Sequence, residues 1–194
     1  MKTSAFLFPM SNETNPWKTL QSQEVYESPW ILITKHEVLN PAGNPATYST
    51  ITFKNKAIGI LPLDEHYNTW IVGQYRYPTN NYSWEIPEGG GHPDVPYQES
   101  AARELLEETG IKANTYIEIM RMHLSNSASN EEAIVFVARD LSFHEAEPEE
   151  TEVLQVKKIP FAKLFDMVDK GEVTDAITIA AVYKTKLLID SGAL

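Results

Sequence analysis

The run Gly89-Gly90-Gly91-His92-Pro93-Asp94 constrains this chain more than any other segment. Three glycines carry the greatest backbone freedom and proline lacks an N–H, so the run predicts a loop rather than an element. Its two sides read differently. Before it, β-branched and aromatic residues recur from Val25 to Tyr77, and turn clusters such as Asn40-Pro41-Ala42-Gly43-Asn44 break them into strands. Strands are expected over Trp30 to Leu39, Thr47 to Phe53, Ala57 to Leu63, Thr69 to Tyr77 and Trp84 to Pro87. After it, Tyr97 to Thr109 predicts a helix ended by Gly110. Strands resume at Ile117 to Leu124, Ala133 to Ala138 and Val153 to Ile159, and helices follow at Phe161 to Val168 and Asp175 to Ile189. This order predicts a mixed α/β layered domain, not a regular βαβ repeat.

Composition narrows the function classes. The 194 residues carry 27 acidic and 16 basic side chains, a formal net charge of −11. Such a field repels phosphate backbones, so neither nucleic acid nor an anionic membrane surface is an expected partner. An anionic substrate would need local arginines or a metal ion to hold it. Cysteine is absent, which excludes disulfides, thiolate zinc sites and cysteine nucleophiles and fits a cytoplasmic setting. No run approaches the eighteen apolar residues of a membrane span. The short apolar run from Ala5 to Met10 contains Pro9 and leads into polar residues, unlike a secretion signal.

The helix after the glycines carries the chemistry. With Glu104 at zero on a helical wheel, Glu107 falls near about −60° and Glu108 near about +40°. Ala101, Leu105, Ala102 and Leu106 fall from about +60° to about +200°, so one side packs and the other carries three carboxylates, with Glu108 at the border. Like charges at these spacings destabilise a helix, and only Arg103 dilutes them. Converging carboxylates suit a hard cation that also bridges to phosphates.

The segment resembles the Nudix box, G-x5-E-x7-R-E-U-x-E-E-x-G-U with U a bulky aliphatic. Gly89, Arg103, Glu104, Leu105, Glu107, Glu108, Gly110 and Ile111 match at the right spacing, and Val95 replaces the first glutamate. The flanks, Gln74-Tyr75-Arg76 and Trp84-Glu85-Ile86-Pro87-Glu88-Gly89-Gly90, are similar to the branch acting on ADP-ribose and nucleoside diphosphate sugars. Glu88 stands where that branch has alanine. The resemblance implies a Nudix fold, with mixed sheet layers sandwiched by helices and an N-terminal antiparallel sheet extension. Residues 1–20 then form an arm, 21–53 the sheet extension that pairs two subunits, and 54–194 the catalytic domain.

The same resemblance implies Mg2+, with Mn2+ as a substitute, held by Glu104, Glu107, Glu108, Glu152 and the Glu88 carbonyl. Glu104 and Glu108 also count as catalytic, and Glu150 of the Glu150-Thr151-Glu152 motif becomes the general base. Arg76, Ser125, Glu131 and Gly90 would line the substrate, and Trp30 would stack the base across a homodimer. The expected reaction splits a nucleoside diphosphate sugar, ADP-ribose or one like GDP-mannose, into a nucleoside monophosphate and a sugar phosphate. The alternative is a nucleotide-sugar sensor on the same fold, without catalysis; an isomerase of the isopentenyl diphosphate type would want a cysteine. RNA decapping is disfavoured by the charge. Because Gly89 to Gly91 and the proline-free loop Ser125 to Asn130 read as flexible, the substrate range is expected to be broad.

Overall fold

The computed structural model describes residues 14–146 and 154–194. Three antiparallel strands come first: β1 (Lys18–Glu27), β2 (Ile31–Leu39) and β3 (Pro45–Phe53), which form a sheet of their own in that order. The polar arm expected to reach residue 20 therefore ends earlier, because Lys18 and Thr19 pair with Leu39 and Val38. A neighbouring strand supplies what local composition does not.

The rest of the chain builds two more sheets. β4 (Lys56–Pro62), β5 (Asn68–Arg76), β6 (Asn81–Glu85) and β7 (Glu88–Gly91) precede the helix α1 (Tyr97–Thr109). After it come β8 (Ile111–His123), β9 (Glu132–Phe143), β10 (Gln155–Pro160), α2 (Phe161–Asp169) and α3 (Ala176–Asp190). One sheet runs β7-β4-β9-β8, with β4 and β9 parallel; the other runs β10-β5-β6. Both β8 and β9 extend beyond the predicted segments, since each continues the other's ladder from Ile111–Phe143 to His123–Glu132.

Strand alternation explains how the four-stranded sheet is covered on both faces. Ile58 and Ile60 of β4 and Ile134, Phe136 and Ala138 of β9 pack with Ala101 and Leu105 of α1. The intervening Leu61, Val135 and Val137 pack with Leu164 of α2 and Ile177, Ala181 and Val182 of α3. Two cores thus share one sheet, and truncating fully buried Leu105 to alanine would cost about 2–5 kcal/mol.

Helix ends follow local chemistry. Gly110 takes φ 70° and closes α1 with a 2.8 Å hydrogen bond to the Leu106 carbonyl. Asp175 caps α3 by accepting from the Thr178 amide at 2.6 Å. The Thr178 hydroxyl accepts from the Ile86 amide at 2.9 Å, which fastens α3 to the corner between β6 and β7.

One prediction is overturned. Gly89 to Gly91 lie in β7, paired with Lys56 to Ile58 of β4, not in a loop. A side chain on Gly89 would collide with the Glu104 carboxylate. Glycine here serves close approach of helix and strand rather than flexibility.

Candidate active site

α1 sits on β7, and its carboxylates grip that strand. The Glu88 amide donates to Glu108 Oε2 at 3.0 Å, and Glu108 is only 3% exposed. Arg103 donates to Glu107 Oε2 and Glu104 Oε1, each at 2.6 Å, and to the Gly90 carbonyl at 2.9 Å. Burial raises the Glu104 carboxyl above its ordinary range, against the pull of Arg103. The predicted face is therefore divided: Glu104 and Glu107 share one arginine, while Glu108 turns into the packed junction with β7. Ala101 and Leu105 are buried as expected, whereas Ala102 and Leu106 are half-buried.

The donor set suits a hard divalent ion. Glu104, Glu107 and Glu108 offer carboxylate oxygens, the ligand type such an ion takes, on the helix that packs against β7, although the three do not stand within 4.8 Å of one another. Arg103 already holds two of these carboxylates together, as any cation between them would.

Beside this junction lies a cleft of about 610 Å3 that includes Arg76, Glu85, Glu88, Gly89, Glu131 and Asp175 in its walls. That volume is within the usual range for small-molecule sites. Arg76 Nε donates to both oxygens of Glu85 at 3.1 Å, its Nη2 also meets Glu85, and Nη2 donates to Glu88 Oε1 at 2.8 Å. The arginine expected to face a diphosphate is thus seated between two acids. Burial and these partners pull in opposite directions. Burial would raise the Glu85 carboxyl, but the Arg76 hydrogen bonds win and hold it low. At Glu88 burial wins, helped by the charges of Asp175 and Glu85, and its carboxyl stands well above the ordinary range. Glu131 is raised by burial as well.

The remaining predicted residues are spread more widely. Gly90 is in β7, with its carbonyl bound to Arg103. Ser125 begins the loop between β8 and β9, and its carbonyl accepts from the Ala128 and Ser129 amides at 3.0 and 2.8 Å. Trp30 precedes β2, is 68% exposed, and lies outside the cleft walls. Glu150 and Glu152 lie outside the described residues.

Loop 125–130 is also more firmly held than its composition predicts. Ile51 of β3 donates to the Ala128 carbonyl at 2.9 Å and accepts from the Asn130 amide at 3.3 Å. The Asn130 side chain accepts from the Phe53 amide at 2.6 Å and donates to the Phe53 carbonyl at 3.3 Å. Tyr48 donates its hydroxyl to the Ser127 carbonyl. The N-terminal sheet therefore backs the loop, which ends beside Glu131 of the cleft. Sequence reading missed this link, and it missed Asp175 and the Glu85 side chain as cleft residues. Asp175 was visible only as the start of the last helix, and Glu85 only as part of a strand motif.

Known proteins resemble this chain in sequence and in fold. Residues 53–182 match the NUDIX domain, and residues 17–51 match the nucleoside diphosphate sugar hydrolase N-terminal domain. An ADP-ribose pyrophosphatase of Mycobacterium tuberculosis (strain ATCC 25618 / H37Rv) is 28% identical over 173 residues, 86% of this chain and 81% of that one. An ADP-ribose pyrophosphatase of Bacillus subtilis (strain 168) is 28% identical over 172 residues, 88% of this chain and 92% of that one. A crystal structure of an ADP compounds hydrolase shares the fold, with a TM-score of 0.82 at 22% identity, covering 95% of this chain and all of the other. Among the described residues, no helix is long and apolar enough to cross a membrane.

Proposed function

The chain belongs to the Nudix family of hydrolases, and from that premise we propose that it cleaves the diphosphate bond of a nucleoside diphosphate sugar, with ADP-ribose the foremost substrate. The products are a nucleoside monophosphate and a sugar phosphate. The observation that carries this reading is the double role of Gly89. It forms part of the cleft wall, and its missing side chain makes room for the Glu104 carboxylate of the acidic helix. A substrate in the cleft thus lies against the strand that the acidic helix grips. The match of residues 17–51 and the names of the two pyrophosphatase relatives support the substrate class.

Mg2+, with Mn2+ as a substitute, would be held by Glu104, Glu107, Glu108, Glu152 and the Glu88 carbonyl. When bound, it would offset the diphosphate charge and lower the pKa of water. The chain's own residues do the rest. Arg76 keeps Glu85 and Glu88 in place and supplies the basic side chain of the cleft walls for the diphosphate. Glu150 takes a proton from the attacking water as its oxygen bonds to phosphorus and the bridging P–O bond breaks. Glu131, at the end of the loop from Ser125, faces the sugar end.

The N-terminal half, residues 21–53, serves as the subunit contact of a homodimer in this reading. Val25, Tyr26 and Trp30 leave it with large exposed apolar side chains, more than a monomer usually shows together. Trp30 then reaches the base in the partner's cleft.

The test is product analysis of ADP-ribose and GDP-mannose incubated with the full chain, in magnesium and in EDTA. Monophosphate and sugar phosphate in equal amounts, formed only with the metal, support the proposal. Equal turnover in EDTA, or no turnover of any sugar nucleotide, overturns it.

A further inference from the structure

β6 runs along the wall of the cleft from a buried end to an open one. Glu85 is buried at the first, and Asn81 is exposed at the second. Asn81 is the register partner of Arg76 on β5, so the two side chains leave the same face of their sheet. The hairpin that presents Asn81 is pinned. The Tyr75 hydroxyl donates to Asn80 Oδ1 at 2.7 Å, the Thr79 hydroxyl to the Arg76 carbonyl at 3.3 Å, and the Asn80 amide to the Tyr77 carbonyl at 3.2 Å. Asn80 takes φ 54°, a left-handed conformation that asparagine tolerates.

The polar side chains around Glu85 already serve one another. Arg76 is paired with Glu85 and Glu88, and Asp175 caps α3. The Asn81 carboxamide makes no hydrogen bond among the described residues, and neither does the Glu131 carboxylate. Both stand in the cleft walls, Asn81 on the three-stranded sheet and Glu131 just before β9 of the four-stranded one. A carboxamide donates and accepts, and a carboxylate accepts. Together they match a ring whose hydroxyls do both. Asn81 and Glu85 are the two ends of β6, about 13 Å apart at about 3.3 Å per residue, room for a phosphate beside the Arg76 guanidinium and a sugar ring beyond it.

We propose that Asn81 determines specificity for the sugar half of the substrate, by hydrogen-bonding ring hydroxyls of the sugar that leaves as its phosphate. This rests on the proposed hydrolysis of a nucleoside diphosphate sugar and adds the residue that reads the sugar. The discrimination comes from how the carboxamide is presented. A pinned hairpin keeps it at the wall, so a diphosphate ester without a hydroxyl at that place fills the cleft and leaves the carboxamide unpaired. Asn81 takes no part in bond breaking. Its contribution is affinity for one half of the substrate, which the two products report separately.

Product inhibition of ADP-ribose turnover by the full chain, in magnesium, tests the assignment. Ribose 5-phosphate probes the sugar half and AMP the nucleoside half. Asn81→Ala should raise the inhibition constant of ribose 5-phosphate tenfold or more and that of AMP less than threefold. The variant keeps the β5–β6 ladder, because Asn81 joins it through its backbone alone. A merely structural role would move both constants together. Unchanged constants, equal rises in both, or a rise for AMP alone would overturn the role of Asn81 and leave the reaction in place. No turnover of any sugar nucleotide by wild type would overturn the reaction itself, and this assignment with it.

Discussion

The amide of Glu88 donates to the carboxylate of Glu108 at 3.0 Å and so fixes the start of β7 to the acidic helix. This bond makes Glu108 a packing residue as well as an acid. Glu108→Ala should lose about 1–3 kcal/mol of stability, the cost of a buried amide left without its acceptor. Glu108→Gln keeps an acceptor and should unfold in urea close to wild type, yet lose most of its magnesium-dependent hydrolysis. Urea melts and phosphate release on the two variants separate the two roles.

Gly89→Ala places a methyl group against the Glu104 carboxylate. The carboxylate is the far end of a flexible side chain, so it swings aside with the backbone left in place, and stability should change by less than about 1 kcal/mol. Turnover should still fall at least tenfold, because the displaced group is the Glu104 carboxylate proposed to hold the metal. Steady-state kinetics with a thermal melt checks both effects.

Asn130→Ala removes both side-chain bonds to Phe53 and loosens the loop beside Glu131. A held loop can leave a wrong sugar's partners unpaired, whereas a loose one turns them to water. Wild type should therefore prefer ADP-ribose over GDP-mannose by more than about 100-fold in kcat/KM, or about 2.7 kcal/mol. The variant should narrow that ratio. A ratio unchanged by the substitution would detach loop order from selectivity.

Asp64 offers a test of stability against pH. Burial would raise its carboxyl, but hydrogen bonds from Asn68, Lys158 and the His66 amide hold it well below the ordinary carboxylate range. A depressed value stabilises the fold above the unfolded pKa of about 3.9 and loses that contribution as pH falls through the folded value. Asp64→Asn should therefore melt lower than wild type at pH 7 by about 2–4 °C for each kcal/mol lost. The gap should shrink as the pH drops below about 4.

Glu150→Gln should lower kcat by about 10²–10⁴ with little change in KM, the usual scale for a general base. Glu145→Gln should stay close to wild type. Matching losses in the two variants would mean that the segment acts through bulk charge alone.

Much of this molecule was legible in the sequence where a residue's role is local. Gly110 ends its helix and Asp175 opens another, because caps depend on a few neighbouring atoms. The box spacing likewise located Arg103, Glu104, Glu107 and Glu108. What stayed hidden depends on partners far along the chain. Gly89 to Gly91 read as a loop because only Glu104 and β4 reveal why side chains are excluded there. Loop 125–130 read as free because its anchors are at Tyr48, Ile51 and Phe53, more than seventy residues earlier. The ion pairs of Arg76 with Glu85 and Glu88 were hidden because their spacing across the strands is not a linear motif.

The alternation along β4 has a consequence for how this chain tolerates change. Ile58 and Ile60 serve one core, while Ala57 and Leu61 serve the other. A substitution at any of these positions disturbs one core and spares the other. Deleting or inserting a single residue in the strand is a different kind of lesion, because every side chain beyond it changes face. Both hydrophobic layers would then receive the wrong complement at once. Variation in this strand should therefore be confined to exchanges of one residue for another, with length changes pushed out to turns such as that at Glu65 and His66.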